Sequence, residues 1–336
     1  MNPPTARTPH SSAVRTGRRP AAVLRVRELS VRIGPVAAVS GISFDIAPGE
    51  FVGVVGESGS GKSVTARAIL GLLPRHTEVR GSITLGDEEI TTASPRRLRE
   101  IRGGEIGLVF QDALAALDPV HTVGDQLVEA LRAHRPVTRA QARARAAELL
   151  EEVRIPDPVA CLDRYPHQLS GGMRQRVVIA SALIADPSLV IADEPTTALD
   201  VTVQKQVLDL LTDVCERRGA SVLLITHDLG VVAQTCSRVA VFYGGLLVEE
   251  ADTLTLFEHP RHPYTRALLR SLPKLGVDAP FEAIPGQPAQ ITGHLSACPF
   301  APRCEFATPA CHAQVPPEFR DDRGRHRCLR VGKGEL

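Results

Sequence analysis

Eight consecutive residues, Gly56-Glu57-Ser58-Gly59-Ser60-Gly61-Lys62-Ser63, fit the spacing G-x-x-x-x-G-K-[ST], the pattern of a loop that binds nucleotide phosphates. Glycines let backbone N–H groups turn inward around phosphate oxygens, where a side chain would block the approach. Lys62 is placed to reach the β- and γ-phosphates, and Ser63 to set its hydroxyl on Mg²⁺. A glycine-rich turn that matches by chance is the bland alternative. It would require neither a strand before the loop nor a helix after it. Here the apolar run Phe51-Val52-Gly53-Val54-Val55 precedes the loop and a helical pattern, Val64 to Leu73, follows. The helix starting near Gly61 adds its positive N-terminal end.

Other residues suit the same chemistry. The apolar run ending Ile191-Ala192-Asp193-Glu194 delivers two adjacent carboxylates. Two buried like charges are costly, so such a pair normally has a task. Asp193 is expected to hold Mg²⁺ through water and Glu194 to polarise an attacking water. Capping of the next helix is the structural alternative. Leu169-Ser170-Gly171-Gly172-Met173-Arg174-Gln175 is a second glycine-rich turn opening a helix, hence a second candidate anion site. Taken alone, it is explained equally by an N-cap at Ser170. Two phosphate sites at opposite places in one chain suggest that each nucleotide is shared between two chains. His227 directly follows the strand-like run Val222-Leu223-Leu224-Ile225, which suits a side chain aimed at a reacting group better than an ordinary strand-end histidine.

The elements that must position these residues alternate. Val23 to Arg27 and Ile42 to Ile46 read as strands, with Pro48-Gly49 as the turn before the phosphate loop. Gly81 to Leu85 and Ile106 to Phe110 read as further short strands. From about Val123 to Arg164 the pattern is helical and charged. Its arginine series, Arg143 and Arg145 among it, is a solvated face because Glu148, Glu151 and Glu152 follow at once. A helix from Gly172 to Ala185, the buried strand Leu189 to Asp193, a helix near Val201 to Arg217 and the strand Ser221 to Thr226 come next. Such alternation implies a largely parallel sheet covered on both faces. Beyond Pro260, prolines, histidines and four cysteines replace long regular elements, and a domain boundary is expected there.

Composition narrows the class. A chain of 336 residues is long for one core, so a nucleotide-binding domain with a helical insert and a smaller terminal module is expected. Lys+Arg 39 against Asp+Glu 38 leaves a net charge of +1 and no electrostatic case for binding nucleic acid. No apolar run approaches the ~20 residues needed to cross a bilayer. Residues 1–22 are acid-free and rich in Arg, Pro and Ser, which reads as a disordered tail rather than a targeting helix. Seven cysteines without a signal peptide point to a reducing compartment, where clustered thiols hold metal more often than they form disulfides. Cys161, Cys215 and Cys236 stand in helical or apolar contexts and read as small core residues.

Over about residues 23–258 the chain resembles an ATP-binding cassette ATPase. Gly56 to Ser63 resembles Walker A; Gln111, in Val109-Phe110-Gln111-Asp112, the Q-loop; and Leu169 to Gln175 the LSGGQ signature, with Met173 where the family usually has Gln. Val190 to Glu194 resembles Walker B with its catalytic glutamate, Ala198-Leu199-Asp200 the D-loop, and His227 in Thr226-His227-Asp228 the switch histidine. The resemblance implies an α/β fold: a RecA-like core, an antiparallel β subdomain, and a helical subdomain at about residues 112–180. It also implies a mechanism. Two cassettes close head to tail around two ATP molecules, so that Walker A of one chain and Ser170, Gly171 and Gly172 of the other grip one γ-phosphate, with Asp200 also among the ATP-binding residues. Glu194 and His227 support in-line attack by water. Ser63, Gln111 and Asp193 attend Mg²⁺, and Gln111 reports the state of the site to the transmembrane partner. One departure stands out: where the family usually stacks adenine on an aromatic ring, this chain has Ile33. Loss of stacking removes about 1 kcal/mol and implies looser base discrimination.

Three further segments resemble the C-terminal region of dipeptide/oligopeptide permease ATPases: His262-Pro263-Tyr264-Thr265-Arg266-Ala267-Leu268-Leu269, Ile284-Pro285-Gly286-Gln287-Pro288, and Cys298-Pro299-Phe300-Ala301-Pro302-Arg303-Cys304. Close relatives of that branch import nickel chelates and similar small solutes. Cys298, Cys304, Cys311 and Cys328 are spaced C-x5-C-x6-C-x16-C. Four thiolates in a loop-like segment could ligate a [4Fe–4S] cluster or Zn²⁺. No gap is as short as a zinc knuckle, and wide spacing suits a larger inorganic core; resemblance to permease ATPases that carry this pattern also points to iron–sulfur. Zinc and unligated thiols remain the alternatives.

The expectation is therefore a peripheral ATPase on the cytoplasmic face of the membrane, with residues 259–336 as a four-cysteine C-terminal module, driving import of dipeptides or oligopeptides. Its partners would be a second ATPase subunit, in a heterodimer or a homodimer, two transmembrane permease subunits and, indirectly, an extracytoplasmic solute-binding protein. A nickel or other small-solute importer is the alternative within the family. A soluble cassette ATPase in translation or repair is the alternative of another class. Those usually carry two cassettes or a long coiled-coil insert, and this chain has neither. A regulatory subunit without hydrolysis is the third reading; Lys62, Glu194 and His227 count against it.

Overall fold

A computed structural model describes residues 22–110, 112–196, 200–271 and 283–336. The tail expected at residues 1–22 thus lies outside the described residues except for Ala22, which is buried.

Two sheets organise the chain. The smaller is four-stranded and antiparallel, in the order β2-β1-β4-β5, with β1 at Leu24–Ile33, β2 at Val36–Ile46, β4 at Thr77–Leu85 and β5 at Glu88–Glu89. The strand expected at Gly81 to Leu85 starts earlier, at Thr77, because the pairing of β1 with β4 continues past an irregularity between Arg27 and Ser30. Glu28 adopts a left-handed backbone there (φ 48), as does Gly81 opposite it (φ 95).

The larger sheet has eight strands in the order β11-β12-β10-β9-β3-β8-β7-β6. Its members are β3 (Phe51–Val55), β6 (Ile106–Val109), β7 (Leu189–Asp193), β8 (Ser221–Ile225), β9 (Arg238–Tyr243), β10 (Leu246–Asp252), β11 (Phe319–Asp321) and β12 (Gly324–His326). From β9 to β6 neighbours run parallel; β10, β12 and β11 continue the sheet antiparallel. The parallel part is covered on both faces, as its continuous apolar runs require. On β7 and β8, Leu189, Ile191, Leu223 and Ile225 enter one core with the antiparallel sheet. Val190, Ala192, Val222 and Leu224 enter the other, with the helices.

Between β6 and β7 the chain is helical, with Val123–Arg132, Arg139–Glu152 and Gly171–Leu183 as its longer helices. Thr122, Thr138 and Ser170 cap these with their side chains. The helix after the phosphate loop spans Lys62–Ile69 rather than Val64 to Leu73. It ends early because Gly71 takes a left-handed backbone (φ 61) that α-helix does not allow. No helix among the described residues is long and apolar enough to cross a membrane.

The C-terminal part does not stand apart from the larger sheet. Glu249 and Glu250 of β10 pair with His326 and Arg325 of β12, so strands on both sides of the expected boundary share one ladder. Three-residue strands carry too little periodicity to be seen in sequence.

Candidate functional site

The loop 56–61 joins β3, which lies between β9 and β8 in the parallel part of the sheet, to the helix Lys62–Ile69. Two of its glycines cannot be replaced by a larger residue. Gly56 (φ 149) would put a Cβ 2.2 Å from the Phe242 carbonyl oxygen, and Gly61 (φ 104) would put one 2.6 Å from that of Ala38. Gly61 caps the helix in a left-handed conformation, leaving its first N–H groups unblocked toward the loop.

Lys62 is buried and folds back on its own loop. Its Nζ donates to the carbonyls of Gly56 at 2.7 Å and Glu57 at 3.0 Å. Burial lowers its pKa, while Glu194, Asp193 and Glu57 favour the charged form. Ser63 Oγ donates to Asp193 Oδ1 at 3.0 Å, joining the loop helix to the end of β7. Burial raises the Asp193 pKa, and the Ser63 bond works against that rise.

Glu194 follows β7 with φ 49, and its N–H donates to the Ile225 carbonyl of β8 at 2.8 Å. The His227 Nδ1 lies 3.6 Å from Glu194 Oε1, beyond a hydrogen bond but within ion-pair reach. His227 is 64% exposed, so it is free to approach a ligand. Asp228, next in the chain, caps the helix Leu229–Thr235 and accepts from Gln204 Nε2 at 3.1 Å.

A cavity of about 510 Å³ opens over the loop, lined on one side by Ser58 to Val64 and Glu194. Its other wall is apolar, with Ile33, Val36 and Ala38 from the antiparallel sheet and Ala289 and Ile291 from the C-terminal part. The segment is held there by backbone bonds, Ala37 N–H to Ile291 O and Gly293 N–H to Pro35 O, both 2.9 Å. Ile33 thus reaches the cavity, as expected, but the wall contributed by residues 289–291 had no signal in the sequence.

Some expected residues stand elsewhere. Ser170, Gly171, Gly172, Asp200 and His227 do not line this cavity among the described residues. Ser170 Oγ instead accepts the Met173 N–H at 3.3 Å as the N-cap of Gly171–Leu183. Asp200 accepts from the Val203 N–H at 3.0 Å, opening the helix Val201–Arg218. Gln111, and Ala198 and Leu199 of the D-loop pattern, lie outside the described residues.

Cys298, Cys304, Cys311 and Cys328 face one small cavity of about 20 Å³, and all are free thiols. Burial raises the pKa of Cys298, to about 12, and those of Cys304 and Cys328. Backbone N–H groups pull the other way: Phe300 and Ala301 on Cys298, Phe306 on Cys304, and Val331 and Arg330 on Cys328. Burial is the larger effect, so these sulfurs favour the protonated thiol as they stand. Among the described residues no group of three or more His, Cys, Asp or Glu side chains is arranged to hold a metal ion. Cys161, Cys215 and Cys236 are buried in the core.

Comparison with known proteins follows the same division. The family described as ABC transporter matches residues 39–197. That described as oligopeptide/dipeptide transporter, C-terminal region, matches residues 248–311. A probable peptide ABC transporter ATP-binding protein of Sinorhizobium fredii is 50% identical over 283 residues, covering 83% of this chain and 84% of its own length. The dipeptide transport ATP-binding protein DppD of Bacillus subtilis is 46% identical, covering 88% of this chain and 90% of its own. Among solved structures, a dimeric post-hydrolysis state of the ATP-binding cassette MJ0796 bound to ADP and Pi superposes with a TM-score of 0.61. It is 28% identical and covers 68% of this chain and 98% of that one.

Proposed function

The chain belongs to the ABC transporter ATPases, and from that membership we propose that it is the ATP-hydrolysing subunit of an importer of dipeptides or oligopeptides. The observation that carries the reading is one cavity lined by both the loop Ser58 to Ser63 and Glu194, with Asp193 bonded to Ser63. The peptide assignment is supported by the match of residues 248–311 and by the peptide-transport names of the two relatives.

In this reading Lys62 exchanges its bonds to Gly56 and Glu57 for phosphate oxygens. Backbone N–H groups of residues 58–61 surround the β-phosphate. Ser63 and Asp193, with Gln111, would hold Mg²⁺, which when bound would supply positive charge beside the phosphates. Glu194 takes the proton of the attacking water and His227, from its exposed position nearby, bonds the γ-phosphate. Ser170, Gly171, Gly172 and Asp200 lie away from the chain's own cavity and serve a second chain's nucleotide. The dimeric form of the cassette MJ0796 supports this sharing. The partner is a similar ATPase or a second copy.

Residues 23–258 form the cassette, about 112–180 its helical subdomain, and 259–336 the C-terminal module. Docking on the cytoplasmic face of two permease subunits is supported by a groove of about 250 Å³ between core and helices, lined by Leu72, Phe110 and Ala130 among others. Leu72 and Phe110 are large apolar side chains exposed at 43% and 49%, and Phe110 precedes Gln111. The four cysteines would hold a [4Fe–4S] cluster, with zinc as the second reading. The chemistry of four cysteines on one shared cavity supports it, while as placed they form no metal-holding group among the described residues. When bound, such a group would tie together short elements that bury little apolar surface.

Glu194→Gln tests the catalytic core. It should lower ATP turnover by about a hundredfold or more while retaining ATP binding; unchanged hydrolysis would overturn the assignment. Uptake of labelled dipeptides and of nickel by a strain lacking the gene separates the two solute readings.

A further inference from the structure

The phosphate loop is gripped from a distant part of the chain. Arg303 donates to both carboxylate oxygens of Glu57, at 2.6 Å and 3.1 Å. Its remaining N–H groups go to the Tyr243 hydroxyl at 3.1 Å and to the carbonyls of Pro285 at 2.6 Å and Ile284 at 3.1 Å. All five guanidinium donors are therefore used. The Arg303 side chain is 5% exposed, and its charge lies 5.8 Å from the centre of the Tyr243 ring. From a second direction, the Tyr264 hydroxyl accepts the Glu57 N–H at 2.9 Å. Both the side chain and the amide of one loop residue are thus fixed by residues outside the phosphate-binding motif.

Charge gives the grip a purpose. A carboxylate on a loop that receives a triphosphate repels its ligand, and the Glu57 charge is felt at Lys62. A bidentate guanidinium neutralises that carboxylate and fixes its direction, which a lysine would do less well. Arg303 is also the residue before Cys304, and the carbonyls it holds, Ile284 and Pro285, lead to the segment 289–291 that walls the cavity.

We propose that Arg303 is a positioning residue for nucleotide binding: by neutralising Glu57 and fixing the phosphate loop, it lets the cysteine-bearing part of the chain set ATP affinity without touching ATP. The proposal rests on the reading of the loop as an ATP site.

Titration of a fluorescent ATP analogue with Mg²⁺ into the full chain tests it, alongside steady-state hydrolysis. Arg303→Ala should weaken binding and raise KM by about tenfold, with kcat little changed. Glu57→Gln placed in the same chain should recover most of that loss, because the uncompensated charge is gone. Recovery of this kind would not follow if Arg303 only supported the fold. Arg303→Lys should give an intermediate affinity, and it reports on the charge should the alanine variant fail to fold. Affinity within twofold of the unaltered chain for both Arg303→Ala and Arg303→Lys overturns the proposal, as does a double variant as weak as the single one. An unaltered chain that binds nucleotide no better than Lys62→Ala overturns the ATP reading as well.

Discussion

Ser63 Oγ and Asp193 Oδ1 stand 3.0 Å apart, and that bond joins two elements distant in sequence: the helix after β3 and the end of β7. Strands β3 and β7 are separated in the sheet only by β8, so their C-terminal ends open on one side. Ligands of α/β sheets gather at such ends. The hydroxyl and carboxylate bonded to each other here are the pair that would share Mg²⁺.

Asp193→Asn keeps the size of the side chain and a hydrogen-bonding partner for Ser63, but removes the charge. It should abolish the enhancement of ATP binding by Mg²⁺ while leaving Tm within about 2 °C. Nucleotide titrations with Mg²⁺ and with EDTA check this; the same enhancement in variant and parent would exclude Asp193 from the metal site.

Gly61→Ala forces a Cβ to within 2.6 Å of the Ala38 carbonyl oxygen at a backbone angle that L-residues avoid. Such strain costs about 1–3 kcal/mol, and the loop would have to move to relieve it. Both a lower denaturation midpoint and loss of nucleotide binding are expected. A variant that bound ATP normally would show that the loop tolerates the displacement.

Acid should destabilise the C-terminal part. Burial first, then the neighbouring His326 charge, holds the His262 pKa down to about 3, and burial with Arg261 holds that of His326 at about 4. Both are neutral in the folded chain, whereas the unfolded chain binds protons below about pH 6.5. Depressed histidines therefore contribute stability that is present above that pH and lost as it falls. At pH 5 the loss from His262 alone is about 2 kcal/mol. Denaturant midpoints at pH 7.5 and pH 5 measure it. His262→Asn, which can still accept the Tyr264 N–H that His262 Nδ1 accepts at 3.1 Å, should show a shallower pH dependence. Identical slopes in the two chains would rule the histidine out as the source.

Iron, sulfide and zinc in anaerobically purified chain, with its visible spectrum, decide what Cys298, Cys304, Cys311 and Cys328 hold. About four irons and four sulfides per chain are expected. One zinc without iron would establish the second reading, and neither metal would leave four unligated thiols.

What could be read in the sequence was local. A strand, a loop of fixed spacing and a helix are contiguous around Lys62, so their geometry follows from neighbouring residues. The ends of β7 and β8 were legible because a doubly covered strand is a solid apolar run bounded by its first polar residues, Asp193 and Thr226. Contacts made only by tertiary approach left no trace. Nothing in the type or spacing of Arg303 pairs it with Glu57, and Ala289 to Gly293 look like loop until the backbone bonds of Ile291 to Ala37 and of Gly293 to Pro35 are seen. The same holds for β12, whose three residues become a strand only against β10.

That last pairing has a consequence for any shortened form of the protein. Strand β10 is buried at every position but Asp252 and carries the apolar Leu246, Leu247, Val248 and Ala251, and without β12 its outer backbone groups would be an open template for another chain. The present edge, β11, is only three residues long and carries Arg320 and Asp321, a poor surface for such recruitment. A cassette cut near residue 258 would therefore be a sticky fragment rather than a smaller working one, and the C-terminal strands act as its selvedge.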